Sequence, residues 1–381
     1  MAVALPIPMP VAPRRPPPRR VAPWRRCRRI VVMCLLLCLV PTTISYVTTT
    51  MQPSNSTFAI RSFEWLRDHG AASIAVGVED IYYSLTAPAQ GGPGLRSLPR
   101  RSGGARAGAL HPPNIPPLIA PALPGEGIWL PSESWTGASP PIQTTQFRSD
   151  PSYPRMVAGV SWIDTARTTI ALYPGRLEPS VSLPRGPMQV PYSLRGRLLA
   201  TFNSGFKLQD SGGGGFALGG RIYAPMKPGL ATLLHYTDGR VDIRTWSRAD
   251  QLPAAVDFAR QNLPLIVDQG LPNPNLGDGP AWGVTVHNAV RVWRSGIGVD
   301  ARGNLIYAAA NNQTVASLAK ILIRAGAVRA MQLDINSYWV SFITYPHPDA
   351  GSPSNLLADM NRSASRYLAP DDRDFFAVYA R

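Results

Sequence analysis

The segment Leu305–Asp334, LIYAAANNQTVASLAKILIRAGAVRAMQLD, decides the fold class. Its first part, Leu305–Ala310, is a short apolar run typical of a buried strand. Thr314–Ala325 predicts a helix, because its first threonine can cap the helix and apolar residues recur every three or four positions. Gly326 can end this helix in the left-handed conformation, and the predicted strand Ala330–Asp334 follows at once. The segment therefore predicts a β-α-β unit late in the chain.

Short apolar runs with turn signals continue on both sides of this unit and predict further strands. These runs are Val157–Ile163, Thr169–Tyr173, Leu198–Asn203, Gly215–Tyr223, Ala231–Tyr236, Val241–Trp246, Leu263–Asp268, Gly283–Val286, Val290–Trp293, Ile297–Asp300 and Tyr338–Tyr345. Residues 251–262 predict a second helix. Strands thus outnumber helices, and we expect residues 124–381 to form one α+β domain with a mixed, sheet-rich core.

The N-terminal region differs from this domain in composition. Residues 1–29 contain eight arginines and eight prolines and no acidic residue, which predicts a tail without continuous helix. Residues 30–50 are uncharged and match the thickness of a bilayer core, so we expect a transmembrane signal anchor there. The adjacent arginines predict a cytoplasmic N-terminus and an extracytoplasmic C-terminal domain. A cleaved signal peptide is the alternative, although no Ala-x-Ala site follows the apolar segment.

Two connecting segments separate the predicted anchor from the predicted domain. Residues 51–86 resemble a short ordered stalk in which a helix is one interpretation. Residues 87–123 are rich in Pro, Gly, Arg and Ala, which predicts a disordered linker.

The positive charge of the chain, a formal net +15, first suggests a nucleic-acid partner. Residues 1–29 contribute +8 of this charge and residues 86–123 contribute +4, so most of it lies outside the predicted domain. We therefore expect the membrane, and no nucleic acid, as the partner of these arginines. All three cysteines precede residue 39, and no two histidines have metal-ligand spacing, so the sequence predicts neither a metal site nor a cofactor.

Four polar positions are candidates for a functional site. Asp268 and Asp334 each end an apolar run, where a carboxylate can point into a cleft. Asn203 also ends a strand and offers both a donor and an acceptor. Arg294 precedes a run of small residues and could bind a phosphate or carboxylate in a bidentate manner. A strand-end carboxylate can equally cap a turn, and an arginine can lie on the surface, so each position alone leaves both interpretations open.

The order of these motifs along residues 196–345 resembles the phosphodiester glycosidase family. The matching positions are Asn203 and Gly205 in the family's Asn-Gly-Gly-Phe turn, Arg294, Gly296 and Gly298 in its Arg-x-x-Ile-Gly strand, and Asp334 in its Leu-Asp-Gly-Gly-Gly-Ser signature. The opening Gly125–Trp129 resembles the start of the domain in secreted or membrane-anchored actinobacterial members. Ile335–Tyr338 replace the glycine run of the signature, and glycines there would let backbone N–H groups approach a phosphate.

The resemblance implies a hydrolase that cleaves a sugar from a sugar-1-phosphodiester in envelope polysaccharide metabolism. The implied roles are Asp334 as base or nucleophile, Asp268 as second carboxylate, Arg294 as phosphate ligand, Asn203 and Asn336 as ligands of sugar hydroxyls, and Gly205, Gly296 and Gly298 as substrate-binding positions. The replaced glycine run leaves a non-catalytic domain that binds envelope glycan on the same fold as the alternative function.

Overall fold

The structure is a computed structural model that describes residues 23–70, 88–99, 111–132, 139–283, 285, 290–348 and 350–381. It divides into two compact units, Met1–Gln52 and Pro53–Arg381. The described part of the first unit contains the helix α1 (Pro23–Met51). The helix is long and apolar enough to cross a membrane, and a signal sequence near an N-terminus has the same properties.

The second unit is rich in β-sheet and has two described helices, α2 (Phe58–Asp68) and α3 (Val315–Arg324). Its described strands are β1 (Leu130–Pro131), β2 (Ile142–Arg148), β3 (Val157–Ile163), β4 (Thr168–Tyr173), β5 (Leu198–Asn203), β6 (Phe216–Leu218), β7 (Arg221–Ala224), β8 (Ala231–Tyr236), β9 (Val241–Thr245), β10 (Val256–Gln261), β11 (Leu265–Asp268), β12 (Leu271–Pro272), β13 (Val292–Val299), β14 (Leu305–Gln313), β15 (Arg329–Gln332), β16 (Phe342–Thr344), β17 (Ser354–Asn355) and β18 (Phe375–Ala380). The predicted sheet-rich α+β fold is confirmed.

The described strands form three sheets in which neighbouring strands run antiparallel. The first sheet has eight strands in the order β1-β2-β3-β14-β13-β15-β11-β12. The second has the order β17-β16-β5-β18-β4, and the third has the order β7-β6-β10-β8-β9. One apolar cluster contains buried residues of all three sheets, including Ile297 of the first, Phe202 of the second and Phe258 of the third. The sheets therefore share a common core.

The predicted β-α-β unit is present. The helix α3 connects β14 to β15, and both strands pair antiparallel with β13, so they run parallel to each other. Thr314 caps α3 through a reciprocal pair of hydrogen bonds with Ser317, and Gly326 follows the helix with φ +100°. Gly296 and Gly298 of β13 lie under the helix and the turn after it. The absence of side chains at these two positions lets α3 pack closely on the sheet.

Several local predictions were wrong. The predicted strands Val290–Trp293 and Ile297–Asp300 are one continuous strand, β13, and the predicted strand Tyr338–Tyr345 is shorter, since β16 covers only Phe342–Thr344. The predicted strand Gly283–Val286 lies partly outside the described residues. Residues 251–262 contain a strand, β10, in place of the predicted helix, because Val256–Gln261 pairs with β6 on one side and β8 on the other. Pairing in the middle of a sheet overrides a weak helical pattern. The predicted single strand Gly215–Tyr223 is a hairpin of β6 and β7, which turns at Gly219 and Gly220, both with positive φ.

Described parts of the predicted stalk and linker pack against the domain. Trp65 of α2 is buried, and so is Ile115 in the segment before β1. The carbonyl oxygens of Ile119 and Pro121 each accept a hydrogen bond from the Arg148 guanidinium of β2 at 2.8 Å. These segments thus belong to the same compact unit as the three sheets.

We predict that Gly298→Ala destabilises the domain by about 1–3 kcal/mol, since a Cβ there would lie 2.8 Å from the Ala327 Cβ and 2.9 Å from the Arg329 carbonyl oxygen. Chemical denaturation measures the change in the free energy of unfolding. Gly277→Ala is the matched control, because a Cβ at Gly277 meets no atom within 4 Å. Equal stability of the two variants would contradict the close packing of β13.

Candidate active site

Asp334 lies just beyond the end of β15 and is almost fully buried, with 4 % of its surface exposed. Its Oδ2 accepts a hydrogen bond from Arg373 at 3.0 Å, and its Oδ1 accepts one from the backbone N–H of Asn336 at 2.9 Å. Burial raises the pKa of Asp334 above its usual range, although the Arg373 guanidinium opposes this shift. Asp334 is thus a buried carboxylate that forms a direct ion pair with Arg373.

Arg373 belongs to a run of four charged residues, Asp371–Asp374, directly before β18. Its Nη2 donates to the carbonyl oxygen of Gly205 at 3.1 Å as well as to Asp334. All four residues of the run are buried. Our sequence analysis missed Arg373, because a charged run between apolar segments usually indicates an exposed loop. The available signal was four consecutive charges immediately before the apolar strand Phe375–Ala380.

Further buried charges surround this ion pair. Asp374 forms an ion pair with Arg260 of β10 at 2.8 Å. Arg260 also donates to the carbonyl oxygen of Phe206 at 2.6 Å. Burial raises the pKa of Glu178, and the positive charge of Arg373 partly opposes this effect. The turn that follows β5 therefore lies within a network of alternating positive and negative side chains.

Lys207 completes this network at the side of α2. Its ammonium group lies 3.0 Å from the Glu64 carboxylate and 3.1 Å from the Asp68 carboxylate. Only 6 % of the Lys207 surface is exposed. The helix also carries Arg67, whose charge lowers the pKa of Asp334. Consequently α2 lies over the part of the domain that holds Asp334, Arg373 and Lys207.

The amide of Asn203 is used within the protein. Its Nδ2 donates to the Ser204 carbonyl oxygen at 2.8 Å and to the Ser295 Oγ at 3.0 Å. Its Oδ1 accepts from the Tyr307 hydroxyl at 2.9 Å and from the Ser341 backbone N–H at 3.0 Å. These four bonds use both donors and both acceptor positions of an amide. Asn203 thus connects β5 to the first sheet, whereas the sequence predicted a ligand of sugar hydroxyls.

The structure places Arg294 on the other face of β13 from Ser295. Ser295 faces Asn203 and donates to the carbonyl oxygen of Asp334 at 2.8 Å. Side chains alternate along a strand, so Arg294 points to the opposite face. There its guanidinium donates to the carbonyl oxygen of Gln313 at 3.0 Å and to the Gln332 Oε1 at 2.6 Å. Arg294, the predicted phosphate ligand, is therefore buried, and its guanidinium donates hydrogen bonds to the neighbouring strands β14 and β15.

The glycines predicted to bind substrate fall into two groups. Gly205 lies at the site, where its carbonyl oxygen accepts from Arg373 and where a Cβ would lie 2.9 Å from the Asn262 side chain. Gly296 and Gly298 face the helix side of the first sheet, as described above. The structure thus brings Gly205 to Asp334 and gives the other two glycines a packing role.

Asp268 is exposed at the far end of β11. Val267 pairs with Ala330 near the start of β15, whereas Asp334 follows the end of that strand. About five residues of strand, or roughly 16 Å, therefore separate the two carboxylates. Asp268 borders a separate open cavity of about 500 Å³ with Asn273. The structure does not bring this predicted second carboxylate to Asp334.

The two residues after Asp334 differ in environment. Ile335 is buried in an apolar cluster with Phe206 and Trp282. Asn336 is half-buried, and its Oδ1 accepts from the Tyr338 backbone N–H at 2.8 Å. The segment that replaces the glycine run is thus a compact polar turn anchored by one isoleucine.

Across the part of the chain that the structure describes, no three His, Cys, Asp or Glu side chains converge in a way that could hold a metal ion. The charged groups of the site alternate in sign, so that Asp334, Asp374 and Glu64 each lie beside a buried cation.

Comparison with known proteins supports the resemblance on which the site was predicted. Residues 197–334 match the model of the phosphodiester glycosidase family. This segment begins just before β5 and ends at Asp334. The predicted resemblance to phosphodiester glycosidases is therefore confirmed for the part of the domain that contains the candidate carboxylate.

Two solved structures are similar to the chain at low sequence identity. The catalytic domain of zebrafish N-acetylglucosamine-1-phosphodiester alpha-N-acetylglucosaminidase, auto-inhibited by its pro-peptide, is 16 % identical with a TM-score of 0.43, over 65 % of this chain and 86 % of that one. A hypothetical protein from Synechocystis is 15 % identical with a TM-score of 0.38, over 66 % of this chain and 65 % of that one. No curated protein sequence matches the chain.

We predict that Asn203→Ala lowers the free energy of unfolding by about 2–3 kcal/mol, since it leaves the buried Ser341 N–H without its acceptor and the Tyr307 hydroxyl with only its 3.2 Å bond to the Ser341 carbonyl oxygen. Asn361→Ala is the control and changes stability by less than about 1 kcal/mol, because Asn361 is exposed and its side chain donates one surface hydrogen bond to the Ser337 carbonyl oxygen. Denaturant unfolding measures both. Unchanged stability in Asn203→Ala together with weaker substrate binding would instead support the role predicted from the sequence.

Proposed function

We propose that this protein is a hydrolase of the phosphodiester glycosidase type, which cleaves a sugar from a sugar-1-phosphodiester with Asp334 as base or nucleophile. The observation that carries the proposal is the buried ion pair of Asp334 and Arg373, with its 3.0 Å contact at the end of the family-matched segment. A carboxylate held in this way can attack C1 of the sugar or activate a water molecule for that attack.

The proposed reaction breaks the bond between C1 of the sugar and the phosphate oxygen. Water supplies a hydroxyl group to C1 and a proton to the solvent, and the products are a free sugar and a phosphate monoester. Positive charge develops on the sugar in the transition state, and the ionised Asp334 stabilises it. Arg373 orients this carboxylate and keeps it ionised.

A single carboxylate is sufficient in this proposal. An ordinary glycosidase needs a second acid to protonate the leaving oxygen. A phosphodiester oxygen leaves as a stable anion, so protonation contributes less. The position of Asp268, exposed and remote from Asp334, agrees with a mechanism that does not use it.

We further propose that α1 anchors the protein in a membrane, with the sheet-rich domain on the extracytoplasmic side and a phosphodiester of the cell envelope as substrate. The length and apolar composition of α1 support an anchor, and the arginines on its N-terminal side support this orientation. Cysteine labelling of intact cells with an impermeant reagent, at an introduced Gly277→Cys, tests the location of the domain.

We predict that Asp334→Asn lowers kcat on sugar-1-phosphodiesters by about 10²–10⁴-fold, because the amide can neither attack C1 nor accept a proton. Release of free sugar by the detergent-solubilised full chain measures the rate, and a thermal melt checks folding. Asp268→Asn is the matched comparison and keeps wild-type turnover. An equal loss in both variants would restore Asp268 as second carboxylate, and full activity of Asp334→Asn would refute the proposal.

We predict that the acidic limb of the kcat/KM profile lies above the usual pKa of an aspartate, since burial raises the pKa of Asp334 and the enzyme needs its ionised form. Arg373→Gln removes the cation that lowers this pKa, so the limb moves to higher pH by about one unit or more.

Arg373→Lys retains the positive charge and is the control for this shift, with a limb closer to that of the wild type. The pH dependence of initial rates at low substrate concentration measures all three proteins. A limb that stays at the same pH in Arg373→Gln would show that Asp334 is not the group that titrates.

A further inference from the structure

An open groove of about 540 Å³ runs along α3, on the side of the first sheet where this helix packs over Gly296. Its lining includes Thr314, which caps the start of the helix, and Arg324 in the last turn. A helix rises about 1.5 Å per residue, so these two positions lie roughly 15 Å apart. The β13 side chain that contacts the main chain of Asp334 is Ser295, on the other side of the sheet. The groove is therefore separate from the candidate active site.

Two cations of α3 line this groove without a carboxylate beside them. Lys320 and Arg324 are four residues apart, so their side chains leave the same face of the helix one turn apart. Among the described residues, Asp150 is the one acidic residue of the lining, and its carboxylate already pairs with Arg291 at 3.0 Å. Neither Lys320 nor Arg324 forms an ion pair with any described residue. The groove thus has an excess of positive charge.

The contacts of Arg324 compensate its charge incompletely. Its Nη2 donates to the carbonyl oxygen of Pro116, whereas its Nε is buried with no hydrogen-bond partner among the described residues. Burial lowers the pKa of Arg324, so the surroundings disfavour the charged form of the guanidinium. An anion bound in the groove would supply the missing interaction.

The remaining lining indicates the chemistry of such an anion. Apolar side chains form much of it, among them Leu118, Pro272 and Ile321. None of the described lining residues is aromatic. Proteins that bind single-stranded nucleic acid stack its bases on aromatic side chains, and this groove lacks that platform. Two spaced cations between apolar walls instead match an extended ligand in which phosphodiester charges alternate with carbon-rich units.

We propose that this groove binds an anionic glycan whose units are joined by phosphodiester groups, with Lys320 and Arg324 on successive phosphates. The inference rests on the proposed function for the nature of the polymer, since a sugar-1-phosphodiester is the proposed substrate. The groove holds a part of the polymer that is remote from the bond to be cleaved. It raises affinity for the polymer and leaves the reaction at C1 to Asp334.

Binding of a short poly(glycerol phosphate) oligomer to the full chain in detergent tests this site, measured by isothermal titration calorimetry. The oligomer has a phosphodiester in every repeat and no bond between a sugar C1 and phosphate, so the proposed reaction leaves it intact. We expect Lys320→Glu to weaken binding at least about tenfold, or ~1.4 kcal/mol, because an anion replaces a cation. Lys320 is exposed, so this variant retains the fold, which a thermal melt checks.

Arg248→Glu is the matched control, because it makes the same change of charge at an exposed arginine in the loop after β9. We expect it to bind the oligomer as the wild type does. Lys320→Arg retains the cation and keeps wild-type affinity, whereas Arg324→Gln removes the second cation and weakens binding. A neutral glucose oligomer of the same length binds more weakly than the anionic oligomer.

Equal affinity of Lys320→Glu and Arg248→Glu for the oligomer would overturn the inference. Absence of binding to the wild type would also overturn it, and so would tighter binding of a single-stranded DNA oligomer of the same charge. Oligomer binding needs no turnover, so Asp334→Asn retains it. Binding that depends on Lys320, without hydrolysis of any sugar-1-phosphodiester, would refute the proposed function alone.

Discussion

The buried ion pair between Asp334 and Arg373 constrains the rest of this face of the domain. A charge that loses its water must recover the lost interactions from the protein, or the folded state is strongly destabilised. Asp334 therefore takes the Asn336 N–H, and Arg373 donates to the Gly205 carbonyl oxygen. These contacts join the end of β15 in the first sheet to the turn after β5 and the segment before β18 in the second. The ion pair thus fixes the position of the second sheet relative to the first at this point.

Alternation of side chains along β13 decides which groups can take part in the site. Ser295 points toward the second sheet, where it bonds both Asn203 and the main chain of Asp334. Its neighbours Arg294 and Gly296 must then point to the α3 side, where one bonds Gln332 and the other makes room for the helix. A motif that is contiguous in sequence is therefore divided between two faces, and only one face reaches the candidate carboxylate.

This division shows what sequence reasoning could and could not predict. The strands β3, β5 and β8 are found with the predicted bounds, because apolar runs between turn signals depend only on local pattern. Asp334 could be selected as a candidate because a carboxylate after a buried strand is visible in the sequence, and its catalytic role stays a prediction. The partners of Asp334 depend on which strand ends meet, and that is a property of sheet order. Asp268 has the same local signal as Asp334 but lies at the opposite end of a strand pair.

Arg373 and Lys207 were missed for a related reason. A charged residue outside a helix or strand is usually exposed to solvent, so the local sequence predicts exposure. Burial of such a residue depends on charged partners that lie far away in the sequence. Arg373 follows Gly205 by 168 residues, and Lys207 lies 139 residues after Asp68. No window of sequence contains both members of such a pair.

The isoleucine after Asp334 has a place in this arrangement. A glycine run at this position would offer backbone N–H groups to a phosphate, and Ile335 instead fills an apolar cluster with Phe206 and Trp282. The same turn that carries Phe206 also carries Lys207, so packing of Ile335 against Phe206 supports the segment from which the cation projects. Ile335 therefore links the turn after β15 to the turn after β5 by apolar packing, in addition to the contacts that Arg373 makes with Asp334 and Gly205.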